Sequence, residues 1–169
     1  MNKFHKVSFQ QYVDDTDDNR LLDGGLECMF DLGKEYDSIK LPKRATAASA
    51  GYDFYAPFSF TLQPGQSIKF PTGIRVQLDD DKFLGCFPRS GLGFKFKTRL
   101  ANTVGIVDAD YFTANNEGHI HVRLCNEGDK DTVIAQGDAF MQGIIMPFFK
   151  TDDDEASGVR VGGFGSTDA

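Results

Sequence analysis

From Ser38 onward, apolar and polar residues alternate in short runs with a period of two. Ile39 and Leu41 alternate with lysines. Phe58, Phe60 and Leu62 alternate with polar residues up to a Gln63-Pro64-Gly65 turn. Ile68 and Phe70, then Ile74, Val76 and Leu78, keep the same period. The run His119 to Leu124 repeats it before an Asn126-Glu127-Gly128-Asp129 turn, and Gly143 to Phe149 reads as a buried strand. Side chains two apart share one face of a strand, so each run offers an apolar face to a core. Many short strands broken by turn residues predict an all-β sandwich or jelly roll with little helix.

The first part of the chain follows other rules. Ser8-Phe9-Gln10-Gln11 fits a capping box, with Ser8 as N-cap and Gln11 at the third helical position, and predicts a short helix to about Val13. The acidic cluster Asp14, Asp15, Asp17 and Asp18 then reads as a solvated loop rather than a metal site. Gly24 and Gly25 separate it from an apolar stretch, Leu26 to Leu32. The expected division is an N-terminal extension over residues 1–37, a β domain over 38–150, and an acidic linker with a glycine-rich end over 151–169.

Composition narrows the function classes. A chain of 169 residues with 40% hydrophobic residues can bury a real core. A net charge of -7 argues against a nucleic-acid partner, since phosphate backbones demand a basic surface, while a small phosphate ligand needs only a local cluster of donors. Cys28, Cys86 and Cys125 are odd in number and widely spaced, which reads as reduced thiols of a cytoplasmic protein; Cys86 and Cys125 fall in strands as core thiols. No apolar run reaches membrane-spanning length. His119 and His121 share a strand face and form a possible metal pair, but without a nearby cysteine or third histidine a structural role is the simpler reading.

Several groups could carry chemistry. At the C-terminal end, Arg160-Val161-Gly162-Gly163-Phe164-Gly165-Ser166-Thr167 combines glycines that free backbone N–H groups for an anion, two hydroxyls, a fork donor and a ring. Pro88-Arg89-Ser90-Gly91-Leu92-Gly93, after a strand from Phe83 to Phe87, is a credible anion cradle or equally a glycine turn. In Gly105 to Tyr111, Asp108 and Asp110 would point to one side of an extended strand and Tyr111 to the other. One such carboxylate beside a polyphosphate could take a proton from water, though spacing alone fits an acidic turn better. Asp53 lies between aromatic residues in Ala50 to Ala56, and Gly137 to Gln142 joins a tight turn to a strand.

The order of these five groups resembles the trimeric dUTPases, over about Ser38 to Thr167, and PRSGL and GGFGST are its most specific strings. The resemblance implies a jelly-roll homotrimer whose sites draw on three chains, hydrolysing dUTP to dUMP and pyrophosphate. It implies that Asp108 activates the attacking water and that Tyr111 packs on deoxyribose, excluding a 2′-hydroxyl. Asn102 would stand just before a hairpin, from Gly105 on, that reads uracil largely through backbone groups. Arg89, Ser90, Gly91 and Gln142 would contact phosphates, and Asp53 would orient water bound to Mg²⁺. Arg160, Gly165, Ser166 and Thr167 would close over the terminal phosphate while Phe164 stacks on uracil. No nucleic-acid or membrane partner is implied.

The chain departs from that pattern in places. Phe112-Thr113 begins an insertion before Gly118 where the family has a glycine two residues after the tyrosine. Ala139 stands where arginine is usual, Arg160 lies one residue nearer the double glycine, and Asp168 replaces a final glycine. Two alternatives remain at this level. A dCTP deaminase of the same fold would need a glutamate in the hairpin region where Asp108 stands, and a nucleotide-responsive binding protein would bind dUTP without hydrolysis.

Overall fold

A computed structural model of the chain describes residues 1–19, 21–22, 31–158, 160 and 162. In chain order its elements are β1 (Lys3–Lys6), α1 (Phe9–Asn19), β2 (Leu21–Leu22), α2 (Leu32–Ser38), β3 (Lys43–Arg44), β4 (Tyr52–Tyr55), β5 (Phe60–Leu62), β6 (Ser67–Pro71) and β7 (Ile74–Gln77). They continue as β8 (Lys82–Pro88), α3 (Ser90–Phe96), β9 (Thr98–Leu100), β10 (Gly105–Asp108), a 3-10 turn (Ala109–Thr113), β11 (His121–Asn126), β12 (Thr132–Ile134) and β13 (Ala139–Pro147). The chain is mostly β, as the alternation predicts, and no helix among the described residues is long and apolar enough to cross a membrane.

One sheet has the order β10-β8-β13-β4-β3 and a second the order β2-β6-β11-β9; β1 pairs with β7 and β12 with β5. The pairings are antiparallel, so successive side chains face alternately inward and outward. The sheets meet where Phe70 of β6 stacks against Phe140 of β13 at a centroid distance of 5.3 Å, with Phe58 and Phe60 each 5.4 Å from Phe70. Leu62, Leu84, Leu124 and Met141 are fully buried around that cluster.

The N-terminal part differs from its sequence reading. Ser8 caps α1 as expected, its Oγ accepting from the Gln11 N–H at 3.1 Å. The helix does not stop near Val13 but runs to Asn19, so the acidic cluster is helical and not a loop. The cause is a stripe at helical spacing: Tyr12 and Thr16 are buried, Asp15 is half-buried and Asp14 faces solvent. Tertiary burial of that stripe overrides the weak helix preference of aspartate. The extension also packs onto the β domain: β1 pairs with β7 and Phe4 meets Phe54 of the core edge-on at 5.7 Å.

Four smaller differences follow. Ile39 and Leu41 do not open a strand; the Ile39 N–H donates to the Tyr36 carbonyl and ends α2, which Asp31 caps by accepting from the Lys34 N–H. The PRSGL segment continues from β8 into α3 instead of closing as a turn. β13 ends at Pro147, leaving Phe148 39% and Phe149 94% exposed where a buried strand is expected. The extended stretch through Asp110 and Tyr111 is replaced by the 3-10 turn after Asp108. Gly24, Gly25, Cys28 and the stretch from Leu26 to Phe30 lie outside the described residues, as do Phe164, Gly165, Ser166, Thr167 and Asp168.

Candidate active site

A cleft of about 560 Å³ opens between the two sheets. One wall is β10, from Gly105 to Asp108, with Cys86 of β8 behind it. The facing wall is β11 at His121, Val122 and Arg123, with Lys69 of β6 beside it in register with Arg123. β9 pairs with β11 only from Leu124 to Asn126, so the preceding edge of β11 borders the cleft. Asn102 closes the end between β9 and β10, where Thr103 takes a left-handed φ of 61° and the Val104 N–H donates to the Asn102 carbonyl at 2.7 Å. This volume and mixed lining suit a small ligand with a flat apolar part.

Asp108 stands at the lip, where β10 ends and the 3-10 turn begins. Its side chain is 48% exposed, and its Oδ2 pairs with Arg160 Nη2 at 2.5 Å. Arg160 Nε also donates to Asp110 Oδ1 at 2.7 Å, so one guanidinium ties both carboxylates. Thus the two acids do share a partner, through the turn rather than the pleat. Tyr111, buried under the same guanidinium, donates its hydroxyl to the His119 carbonyl at 2.9 Å and accepts from Asn116 Nδ2 at 2.7 Å. Burial pushes its phenol pKa up, so the ring is a neutral wall. Burial likewise pushes the Cys86 thiol up to about 12, which rules it out as a nucleophile.

A second group lies elsewhere on the five-stranded sheet. Asp53 of β4 and Phe87 of β8 flank Gln142 of β13 in register. Arg89, at the end of β8, reaches Asp53 Oδ1 with Nε at 3.2 Å and donates from Nη1 to the Ala139 carbonyl at 3.2 Å. Gly51 lets Gln142 lie close, since a Cβ on it would sit 2.4 Å from Gln142 Oε1 and push that side chain aside. Arg89 also caps α3, and since Leu92 and Gly93 donate to its carbonyl, the N–H groups of Ser90 and Gly91 are the first-turn donors left over. Nothing lies within 4 Å of a Cβ built on Gly91, so this donor edge is open.

The structure therefore gathers Asn102, Gly105, Asp108, Tyr111 and Arg160 at one cleft, and Asp53, Arg89, Ser90, Gly91 and Gln142 at another surface. It also completes a cluster of which the sequence showed only the two histidines: Asp15, His119 and His121, whose polar atoms lie within 4.8 Å of one another. His119 is fully buried, and His121 lines the cleft. The missing third member stood in the acidic cluster, 104 positions before His119. The signal that could have found it is the Tyr12, Asp15, Thr16 stripe.

Comparison with known proteins places these features. The dUTPase family model matches residues 37–168. The deoxyuridine 5′-triphosphate nucleotidohydrolase of Lactococcus lactis subsp. lactis is 39% identical over 145 residues, covering 83% of this chain and 97% of that protein. The crystal structure of the dUTPase from Streptococcus mutans, 36% identical, superposes with a TM-score of 0.61 over 69% of this chain and 91% of that one. A mutant dUTPase from phage phi11 of S. aureus, described with a structural Mg(II) ion, has a TM-score of 0.59 over 72% of this chain and 92% of that one; at 17% identity it speaks for the fold alone. With the family match running over most of its length and a relative of nearly equal span, this chain is a member of the dUTPase family.

Proposed function

We propose that this protein hydrolyses dUTP to dUMP and pyrophosphate, with Asp108 as the base. The observation that carries the reading is Asp108 at the lip of a cleft whose wall is the buried Tyr111 ring. The nucleoside enters between the β10 and β11 edges, where backbone N–H and carbonyl groups read uracil. Tyr111 lies under deoxyribose, held by its bonds to His119 and Asn116, and leaves no space for a 2′-hydroxyl.

Asp108 accepts the proton of a water whose oxygen attacks the α-phosphorus; the bond from that phosphorus to the α–β bridging oxygen breaks, and pyrophosphate leaves. Arg160 exchanges its carboxylates for the phosphate chain, which frees Asp108 as it neutralises charge on the substrate. Phe164, Gly165, Ser166 and Thr167, outside the described residues, would complete that closure.

Arg89, Gln142 and the N–H groups of Ser90 and Gly91 form the phosphate side. Because one chain keeps this surface apart from the cleft, we infer a jelly-roll homotrimer in which a neighbouring subunit brings it up. Exposed Phe94 (91%), Phe149 (94%) and Ile106 (56%) supply apolar surface for such contacts. The residues fit Mg²⁺ held indirectly: Asp53 is a lone carboxylate already engaged by Arg89, suited to a water of a hydrated ion and not to a protein cage. When bound, Mg²⁺ supplies positive charge at the phosphate oxygens.

The test is incubation with Mg²⁺ and dUTP, dTTP, dCTP or UTP, with all products resolved. dUMP and pyrophosphate from dUTP alone is the expected result; a deaminated product, or binding without hydrolysis, overturns it. Asp108→Asn should bind dUTP yet lose most turnover, and normal turnover would remove Asp108 from its role.

A further inference from the structure

The family match begins at residue 37, so β1 and α1 lie outside it. They nevertheless reach the active site. Asp15, on the inner face of α1, places Oδ2 2.5 Å from His119 Nδ1 and 3.2 Å from His121 Nε2. Hydrogen bonds from His119 and His121 hold its carboxyl well below the usual range despite burial, which alone would raise it.

The donor types are those of a divalent-metal site, yet the bonding says otherwise. The Gly73 N–H donates to His119 Nε2 at 2.8 Å, so that nitrogen is the acceptor. The ring proton must then sit on Nδ1, which donates it to Asp15. A metal on Nδ1 would need that proton removed while Nε2 still faced a donor. The cluster is a relay in which His119 is hydrogen-bonded to Gly73 and Asp15, and His121 Nε2 lies 3.2 Å from the same carboxylate oxygen.

The relay ends in the cleft. His121 is part of its wall, and the His119 carbonyl is the acceptor that fixes the Tyr111 hydroxyl. Gly118 brings the two stretches together: its φ is +70°, and a Cβ on it would lie 2.5 Å from the Tyr111 carbonyl oxygen. A second tie runs outside the first. Glu117, in the insertion, accepts from Ser8 N–H at 2.8 Å and Ser8 Oγ at 2.6 Å, and Arg75 stacks on Phe112 at 3.7 Å while donating to its carbonyl at 2.6 Å. Extension and insertion thus brace each other directly behind the Tyr111 wall.

We propose that Asp15 is a positioning residue of the active site: through His119 and His121, the N-terminal helix fixes the Tyr111 wall and so sets affinity and sugar selectivity. The proposal rests on the cleft being the dUTP site. Its test compares full-length wild type, D15A and D15N in steady-state hydrolysis of dUTP and UTP, well below each melting temperature. Asparagine keeps an oxygen that can accept from His119 and face His121, whereas alanine removes it. In D15A the KM for dUTP should rise about three- to tenfold, the size expected for coupling through packed neighbours, with kcat within about twofold. The preference for dUTP over UTP should fall with it, and D15N should restore both.

A lower melting temperature in D15A with unchanged KM and selectivity would reduce Asp15 to a structural tie and overturn the proposal. So would a KM in D15N, a variant that keeps the fold's shape, as poor as in D15A. Stoichiometric binding of Zn²⁺ to wild type, lost in D15A, would replace the relay by a metal centre. Absence of dUTP hydrolysis in wild type would refute the functional reading itself, a failure distinct from an active enzyme indifferent to residue 15.

Discussion

Replacing His119 gives the sharpest test of how the extension is tied to the domain. The ring is 0% exposed and makes two bonds of opposite sense, donating to Asp15 and accepting from Gly73. His119→Leu fills the space but leaves the Gly73 N–H without its acceptor and takes one donor from Asp15. A buried backbone N–H left without an acceptor costs about 1–3 kcal/mol, and loss of a hydrogen bond to a charged group about 1.5–3 kcal/mol. The sum, about 2.5–6 kcal/mol, is a large part of the roughly 5–15 kcal/mol that holds a typical domain. Asp15→Ala in the same chain removes that carboxylate, so the double variant should cost about 1–2 kcal/mol less than the two singles added together. The assay is urea unfolding at pH 7 followed by circular dichroism, since the chain has no tryptophan, at one fixed protein concentration. A loss below about 1 kcal/mol in His119→Leu, or strict additivity with Asp15→Ala, would refute the bonding pattern assigned here.

Other outcomes follow from the same groups. Burial lowers the His119 pKa below its ordinary value, so the unfolded chain takes up the proton first; stability should fall as pH drops below roughly 6.5, and His119→Gln should flatten that slope in melting curves at pH 7 to 5. Asp15 is depressed as well, which adds a further loss below roughly pH 3.9, where the unfolded carboxylate protonates and the native one resists. With its thiol pushed up to about 12 inside the sheet, Cys86 should resist iodoacetamide at pH 8 in the folded protein and react after unfolding, as read by peptide mass mapping; rapid native labelling would contradict its burial.

Strands β5, β6, β7 and β11 were legible because their period-two alternation maps directly onto buried and exposed faces, as in Phe60 and Leu62 of β5 or Val122 and Leu124 of β11. What sequence could not give was partnership over long separations. Asp15 reads as one acid among several until folding brings His119 to it. Asp108 and Asp110 read as strand neighbours because the 3-10 turn is set by packing of Tyr111, not by local preference. The site residues divided into two surfaces for a similar reason: β4, β8 and β13 carry Asp53, Arg89 and Gln142 on one sheet, while the cleft opens toward the other. The long α1 was hidden by aspartates whose preference for loops is real but small beside the burial of Tyr12 and Thr16.

The cleft lies across the seam of the sandwich, with β10 on one side and β11 on the other. A nucleotide bound there acts as a staple, since any opening that parts the sheets must first release it. At a concentration one hundredfold above its dissociation constant, such a ligand would add about 2.7 kcal/mol to the folded state. Amide exchange along Gly105 to Asp108 and His121 to Val122 would then slow together while distant β5 and β12 stayed unchanged. In a cell, the lifetime of this protein would follow the supply of the nucleotide it consumes.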